Sequence, residues 1–352
     1  MQPPGILIIK TAALGDVLRT TAILPGLARR FPHVPITWGT APSAVDLVRT
    51  HPLVAEVVEL DTRGLDAARK RLDRPWQWVI SLDDEEPLCA LASGLQSARL
   101  SGAHHAADGR RVYTPDVAPW FDMGLLSVHG KAEADRRKIV NTKSQPQIYA
   151  EMLGIELGKP QLVLPDASRA AARALVAAKG LRADLPIVGL NTGAGGRWVS
   201  KQLPVERTIE LAGALATSVE RRVTFLVLGG AAESERNRAI VAGLRAHPAQ
   251  PLACDAGTEH SLLDFAALVE RCALLLTSDS LALHMAIALE RRCVAFFAPT
   301  SAAEIELYGL GEKVQSTSAD YCSYRPDADN SSLSIERLLP ACLRQLELAQ
   351  GA

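Results

Sequence analysis

Four stretches of this 352-residue chain hold polar or glycine-rich residues that a plain connector does not need, and each follows directly on a short apolar run. The first is Lys10-Thr11-Ala12-Ala13-Leu14-Gly15-Asp16-Val17-Leu18-Arg19. Gly15 and the small residues let the backbone turn tightly, and Asp16 stands at the start of a helix that carries Ile23, Leu24 and Leu27. Position alone leaves two readings of its carboxylate: an N-cap accepting a backbone N–H, or a general base at the mouth of a cleft. The second stretch, 191–201, contains Thr192, Gly193, Ala194, Gly195 and Gly196. Glycines let main-chain N–H groups approach an anion closely, and Arg197 or Lys201 adds positive charge. Neither G-x-G-x-x-G nor G-x-x-x-x-G-K-[ST] is present there, which disfavours a dinucleotide dehydrogenase or a P-loop ATPase.

The third stretch, Gly229-Gly230-Ala231-Ala232-Glu233-Ser234-Glu235, puts an acid where nucleotide-binding sheets hold ribose hydroxyls, although acids also open helices for dipole reasons alone. The fourth is Thr277-Ser278-Asp279-Ser280-Leu281-Ala282-Leu283-His284. A helix starting near Ser280 lets Asp279 and His284 frame an anion-binding helix end, against the plainer reading of His284 as a satisfied structural group. The run Asp83-Asp84-Glu85-Glu86 offers oxygen ligands to a hard cation such as Mg²⁺, but a solvated acidic turn or an acceptor contact is the better reading. Arg19 and the cluster Arg136-Arg137-Lys138 suit an acidic acceptor or a solvated surface equally.

Strands must position these residues. Apolar, β-rich runs at 5–10, 35–39, 54–60, 77–82 and, more weakly, 98–102 recur in the first half, and at 186–191, 222–228, 251–254, 274–277 and 293–297 in the second. Continuous apolar strands separated by helical segments imply parallel sheets covered on both faces. Two such sets imply two doubly wound domains, with a seam near 158–185 and an amphipathic closing helix at 334–350. The segment 100–144, with His104, His105, Pro115, Pro119 and Trp120, reads as a loop-rich insertion near a site. Ligands of such sheets bind at the C-terminal strand ends, where all four stretches fall.

Composition narrows the rest. A net charge of −1 from 38 basic and 39 acidic side chains, without a long basic block, makes nucleic acid an unexpected partner. The six cysteines, at 89, 254, 272, 293, 322 and 342, form no C-x-x-C pair and read as reduced, buried thiols. No run approaches the roughly 20 apolar residues of a membrane span, so the cytoplasm is the default compartment.

The Leu-Gly-Asp-Val core of 8–19, the Arg-Trp-x-x-Lys of 191–201, the 228–235 segment, and 278–284 followed by Ala295-Phe296-Phe297-Ala298-Pro299-Thr300 together resemble glycosyltransferase family 9. These are the ADP-heptose heptosyltransferases of lipopolysaccharide core synthesis, and the likeness in order and spacing runs from about 5 to 310. The resemblance implies an α/β GT-B fold, two Rossmann-like domains facing across a cleft. An acceptor-binding domain is expected at 1–165, a nucleotide-sugar-binding domain at 166–332 and the closing helix at 333–352. It implies Asp16 as catalytic base, with Gly15 and Arg19 toward the acceptor. Donor contacts are implied at Thr192, Gly193, Ala194, Lys201, Glu233 in preference to Glu235, Asp279, Ser280, Leu281 and His284. Leu281 stands where relatives carry glycine, and the segment 321–326 lacks the paired cysteines of some relatives. Both point to a side branch whose acceptor and sugar need not be those of the core enzymes.

The implied reaction is an inverting transfer from a nucleotide-sugar donor, ADP-heptose or similar, to a glycan or glycolipid acceptor. It uses no cofactor and no metal, in the cytoplasm with peripheral contact at the inner membrane. A non-hydrolysing sugar-nucleotide epimerase of GT-B type and a degenerate nucleotide-binding relative are the rival expectations.

Overall fold

The computed structural model describes residues 4–182, 184–195, 198–219 and 221–350. The chain divides into two compact units, Met1–Val163 with Ala303–Glu306, and Leu164–Ala302 with Leu307–Ala352. The first unit holds β1 (Gly5–Ile9), β2 (Ile36–Thr40), β3 (Glu56–Glu59), β4 (Trp76–Ser81), β5 (Leu100–His105) and β6 (Arg111–Tyr113). Its sheet runs β3-β2-β1-β4-β5-β6, and only the edge strand β6 is antiparallel to its neighbour. The second unit holds β7 (Ile187–Asn191), β8 (Thr224–Val227), β9 (Ala253–Asp255), β10 (Leu274–Ser278), β11 (Arg292–Phe297) and β12 (Gly311–Gln315). These form an all-parallel sheet in the order β12-β11-β10-β7-β8-β9.

Counted from its own first strand, each sheet has the order 3-2-1-4-5-6, the doubly wound Rossmann arrangement. The chain leaves the first strand to one side and returns at the fourth on the other. A crevice therefore opens beyond the C-terminal ends of β1 and β4 in one unit, and of β7 and β10 in the other.

The central strands form because they have apolar side chains for both faces. Ile6, Leu7, Ile8 and Ile9 of β1 have no exposed surface, and each such side chain contributes about 1.5–3 kcal/mol on burial. Trp38, Trp76 and Trp78 add large buried rings whose N–H groups donate to Lys10 O, Leu72 O and Ser101 Oγ at 3.2, 3.0 and 2.9 Å. The first of these bonds fastens the residue that follows β1.

Three features differ from expectation. The segment 100–144 is not loop-rich: it contains β5, β6 and the helices Ala118–Phe121 and Lys131–Val140. The helix after β1 is broken into Leu14–Thr20, a 3-10 turn Thr21–Ile23, and Leu24–Arg30. Pro25 has no N–H to donate to the Thr21 carbonyl, which favours a break before it and suits its place in the first turn of Leu24–Arg30. Ala303–Glu306, expected in the second domain, belongs to the first unit, where the Gln145 N–H donates to Glu304 O at 2.9 Å and the Ser144 hydroxyl to Glu306 Oε2 at 3.2 Å. The closing helix spans Ile335–Gln350 and buries Leu338, Cys342 and Leu346 in the core of the second unit. Among the described residues no helix is long and apolar enough to cross a membrane.

Candidate functional site

In the first unit the turn after β1 meets the end of β4. Lys10 is buried, and its ammonium donates to Ala12 O and to Asp83 Oδ1. The other Asp83 oxygen accepts the Thr11 N–H, and the Thr11 hydroxyl at 2.8 Å. Asp83 is therefore a site residue and not part of a solvated acidic turn, whereas Glu85 and Glu86 are exposed. Burial opposes the charge on Lys10, but the carboxylates of Asp83 and Asp16 outweigh it and raise the pKa above that of an ordinary lysine.

The N-cap of Leu14–Thr20 is Ala13, which has no side chain to cap with. Asp16 is the third residue of the helix, so the N-cap reading of its carboxylate is wrong. It still benefits from the helix dipole in the first turn. Its Oδ1 pairs with Arg19 Nη2 at 2.8 Å, and its side chain is 36 % exposed against 12 % for Arg19. Arg19 also lies over the Trp120 ring at 5.9 Å, and Trp120 meets the buried Tyr149 edge-on at 5.4 Å. Gly15 is buried. Burial pushes the Tyr149 phenol up to about 12. The basic cluster faces its own acids: Arg136 pairs with Glu133 at 2.7 Å, and Arg137 with Asp122 and Glu133 at 2.9 Å each.

In the second unit β7 ends in Asn191, whose side-chain amide donates to Thr277 Oγ1 at 2.9 Å and Ser280 Oγ at 3.3 Å, stitching the β7 and β10 ends together. Ser280 is the N-cap of Leu281–Ala288, but its hydroxyl bonds Thr277 at 2.9 Å instead of capping. Ser280 thus leaves that helix start without an N-cap bond from its own side chain, and Leu281 is the first residue. Lys201 Nζ donates to Asp279 O and Oδ2 at 2.9 Å each, and His284 Nε2 stands 3.8 Å from Asp279 Oδ1. Lys201 ends a 3-10 turn, Val199–Lys201, held by Ser200 N–H on Pro326 O at 3.0 Å and by the Asn330 side chain on Ser200 O and Gln202 O at 3.2 and 2.7 Å.

Glu233 is buried and points inward, whereas Glu235 is exposed. Its Oε1 accepts the Gly195 N–H at 2.6 Å and its Oε2 the Gly230 N–H at 2.9 Å, so one carboxylate joins the glycine loop to the turn after β8. Arg236, one helical turn on, donates to Thr192 Oγ1 at 2.9 Å and to Leu203 O. Thr192 and Gly193 are buried and Ala194 half-buried within this frame. Arg197, expected to add charge to the loop, lies outside the described residues.

The structure thus gathers Asp16, Gly15 and Arg19 at one switch point. It gathers Lys201, Asp279, Ser280, Leu281 and His284 at the other, with Thr192, Gly193, Ala194 and Glu233 on the β7–β8 side. Lys10, Tyr149, Asn191, Arg236 and Asn330 have no individual role in the sequence reading, although Lys10 and Asn191 open the first and second stretches. Of these only Lys10 carried a signal, a charge closing an apolar strand. Among the described residues no cluster of three or more His, Cys, Asp and Glu side chains is arranged to hold a metal ion. Chemically, the second unit offers an ammonium, an uncapped helix start and a carboxylate with spare lone pairs, which suits a phosphate beside a diol.

The family model for glycosyltransferase family 9 (heptosyltransferase) matches residues 120–332. Over the whole length the fold is similar to that of a family 9 glycosyl transferase from Veillonella parvula DSM 2008, with a TM-score of 0.77 and 19% identity over 99% of both chains. It is also similar to the ADP-heptose lps heptosyltransferase II of E. coli, at 0.67 and 20% over 99% of this chain and 100% of that one. A third solved structure, E. coli heptosyltransferase WaaC with ADP, is similar at 0.60 and 18% over 99% of each chain. No curated protein sequence matches the chain significantly. With more than half of its length matched by the family model and the fold shared throughout, the chain belongs to glycosyltransferase family 9, the heptosyltransferase family.

Proposed function

We propose that the protein transfers a heptose from ADP-heptose to a hydroxyl of a lipopolysaccharide-core-like glycan or glycolipid, with inversion at the anomeric carbon. The observation that carries this reading is the separation of chemistry between the two switch points. The first unit presents a carboxylate, Asp16, on a short helix, and the second presents Lys201, Asp279 and an uncapped helix start. In a single in-line displacement the acceptor oxygen attacks the anomeric carbon as Asp16 takes its proton. The bond from that carbon to the diphosphate breaks, and ADP leaves with the electron pair.

Lys201 uses two of its three N–H donors on Asp279, which leaves one for a phosphate oxygen. The amides of 192–194 and 280–281 meet the remaining charge. Glu233 keeps lone pairs beyond its two backbone bonds, as a ribose contact requires. The scheme calls for no metal, because the developing charge is met by protein cations and dipoles.

Loss of a general base costs about 10²–10⁴-fold in rate. Asp16→Ala is expected to lower ADP release from ADP-heptose plus a lipopolysaccharide-core glycolipid by that factor, while calorimetry shows unchanged ADP-heptose affinity. Full turnover in Asp16→Ala refutes the assignment.

A further inference from the structure

Lys10 is only 6 % exposed, and a buried ammonium persists only where its charge is met. Lys10, Thr11 and Ala12 form the whole turn between β1 and the N-cap Ala13. Asp83 reaches that turn from the end of β4, which pairs beside β1 in the register Ile9↔Ser81. One carboxylate oxygen holds the Lys10 ammonium and the other holds both donors of Thr11, while the ammonium also binds Ala12 O. A carboxylate from the neighbouring strand therefore clamps the segment that delivers Asp16 into its helix. Among the described groups around Asp16 are Arg19 on its own helix, which pairs with it, and Lys10 after β1 and Tyr149 of the helix Gln145–Leu153, which feel its charge, while Asp83 after β4 stands against Lys10.

We propose that Lys10 and Asp83 are positioning residues for Asp16: the pair fixes the turn, and the field of Lys10, partly cancelled by Asp83, sets the pH at which Asp16 takes up a proton. The inference rests on the reading of Asp16 as the base. An unopposed buried cation would hold the carboxylate ionised but make it a poor proton acceptor. Loss of the cation would let it protonate too early. In this scheme Asp83 tempers the field without abolishing it, the influence of Lys10 at Asp16 exceeding that of Asp83.

The test is a pH titration of the aspartate carboxyl carbons by ¹³C NMR on the full chain, with the Asp16 signal assigned by its loss in Asp16→Asn. In Asp83→Asn the Asp16 midpoint is expected to fall by about one unit, because a like charge goes and the cation stays. In Lys10→Met/Asp83→Asn it is expected to rise above the wild-type midpoint by a similar amount. The double variant leaves no unpaired charge buried and so retains the fold even if the single variant melts early. Midpoints that do not move, or that move the other way, overturn the proposal and reduce the pair to a structural clamp. Full transfer activity in Asp16→Asn would instead remove the base reading and leave the titration result standing.

Discussion

Glu233 and Asp83 perform matching tasks in the two units. Each is a carboxylate from beyond a neighbouring strand, and each accepts a main-chain N–H of the turn that follows its unit's first strand, Gly195 in one case and Thr11 in the other. Ionised acceptors make such bonds about twice as strong as neutral ones, which suits a turn that must hold still under a ligand. His51 shows the opposite treatment of a titratable side chain. It is buried, accepts the Leu53 N–H on Nδ1 at 3.2 Å, and is pushed down to about 4 by burial. Since an unfolded histidine titrates near 6.5, the unfolded chain binds the extra proton between those two values. The contribution is present above about pH 6.5 and lost as pH falls toward 4, an effect of about 3 kcal/mol. Urea midpoints at pH 7 and pH 4.5 should therefore differ less in His51→Asn than in the wild type, and an equal difference would exclude this linkage. Asp16 and Lys201 were legible as chemistry because a charge follows a turn after an apolar strand. Arg236 was not, because an arginine in a helix looks the same in sequence whether it faces water or the Thr192 hydroxyl.

Among the elements, the turn after β7 is constrained by its glycine. A Cβ at Gly193 would collide with the Glu233 side chain, so the loop and the carboxylate fit together only without one. Gly193→Ala should displace the Gly195 amide from Glu233 and weaken ADP binding by about tenfold or more in calorimetry, with little change in melting temperature. An unaltered affinity would show that the loop does not contact the donor. The ten strands expected from apolar runs all exist within a few residues, because buried parallel strands need apolar side chains on both faces. The two that escaped, β6 and β12, are edge strands. Arg-Val-Tyr and Gly-Glu-Lys-Val-Gln have too few apolar residues to signal a strand, since one side of each meets no neighbour. The segment 100–144 misled for a related reason: its prolines mark the starts of short helices, not irregular chain.

For the whole molecule, chain length and the repeated strand pattern were enough to expect two doubly wound units, and both sheets have the same strand order. What length and pattern do not reveal is which strand ends share a crevice. That depends on strand order, which places β4 beside β1 and β10 beside β7 although long stretches of chain separate them. All six cysteines are buried and outside any disulfide, and burial pushes Cys272, Cys293 and Cys342 up to about 12. A thiol reagent such as DTNB should therefore leave the native protein essentially unlabelled and modify all six only in guanidinium. Rapid labelling of the native chain would contradict the packing described above.

In the proposed reaction the second unit takes an ADP-activated sugar on Lys201, Asp279 and Glu233. Calorimetric titration with ADP-heptose, run beside UDP- and GDP-sugars on the wild type and on Lys201→Ala, tests it most directly. Saturable binding of ADP-heptose in preference to the other nucleotides is expected, weakened by about tenfold or more in Lys201→Ala. Equal binding of all three nucleotide sugars, or an affinity untouched by the loss of Lys201, would contradict it.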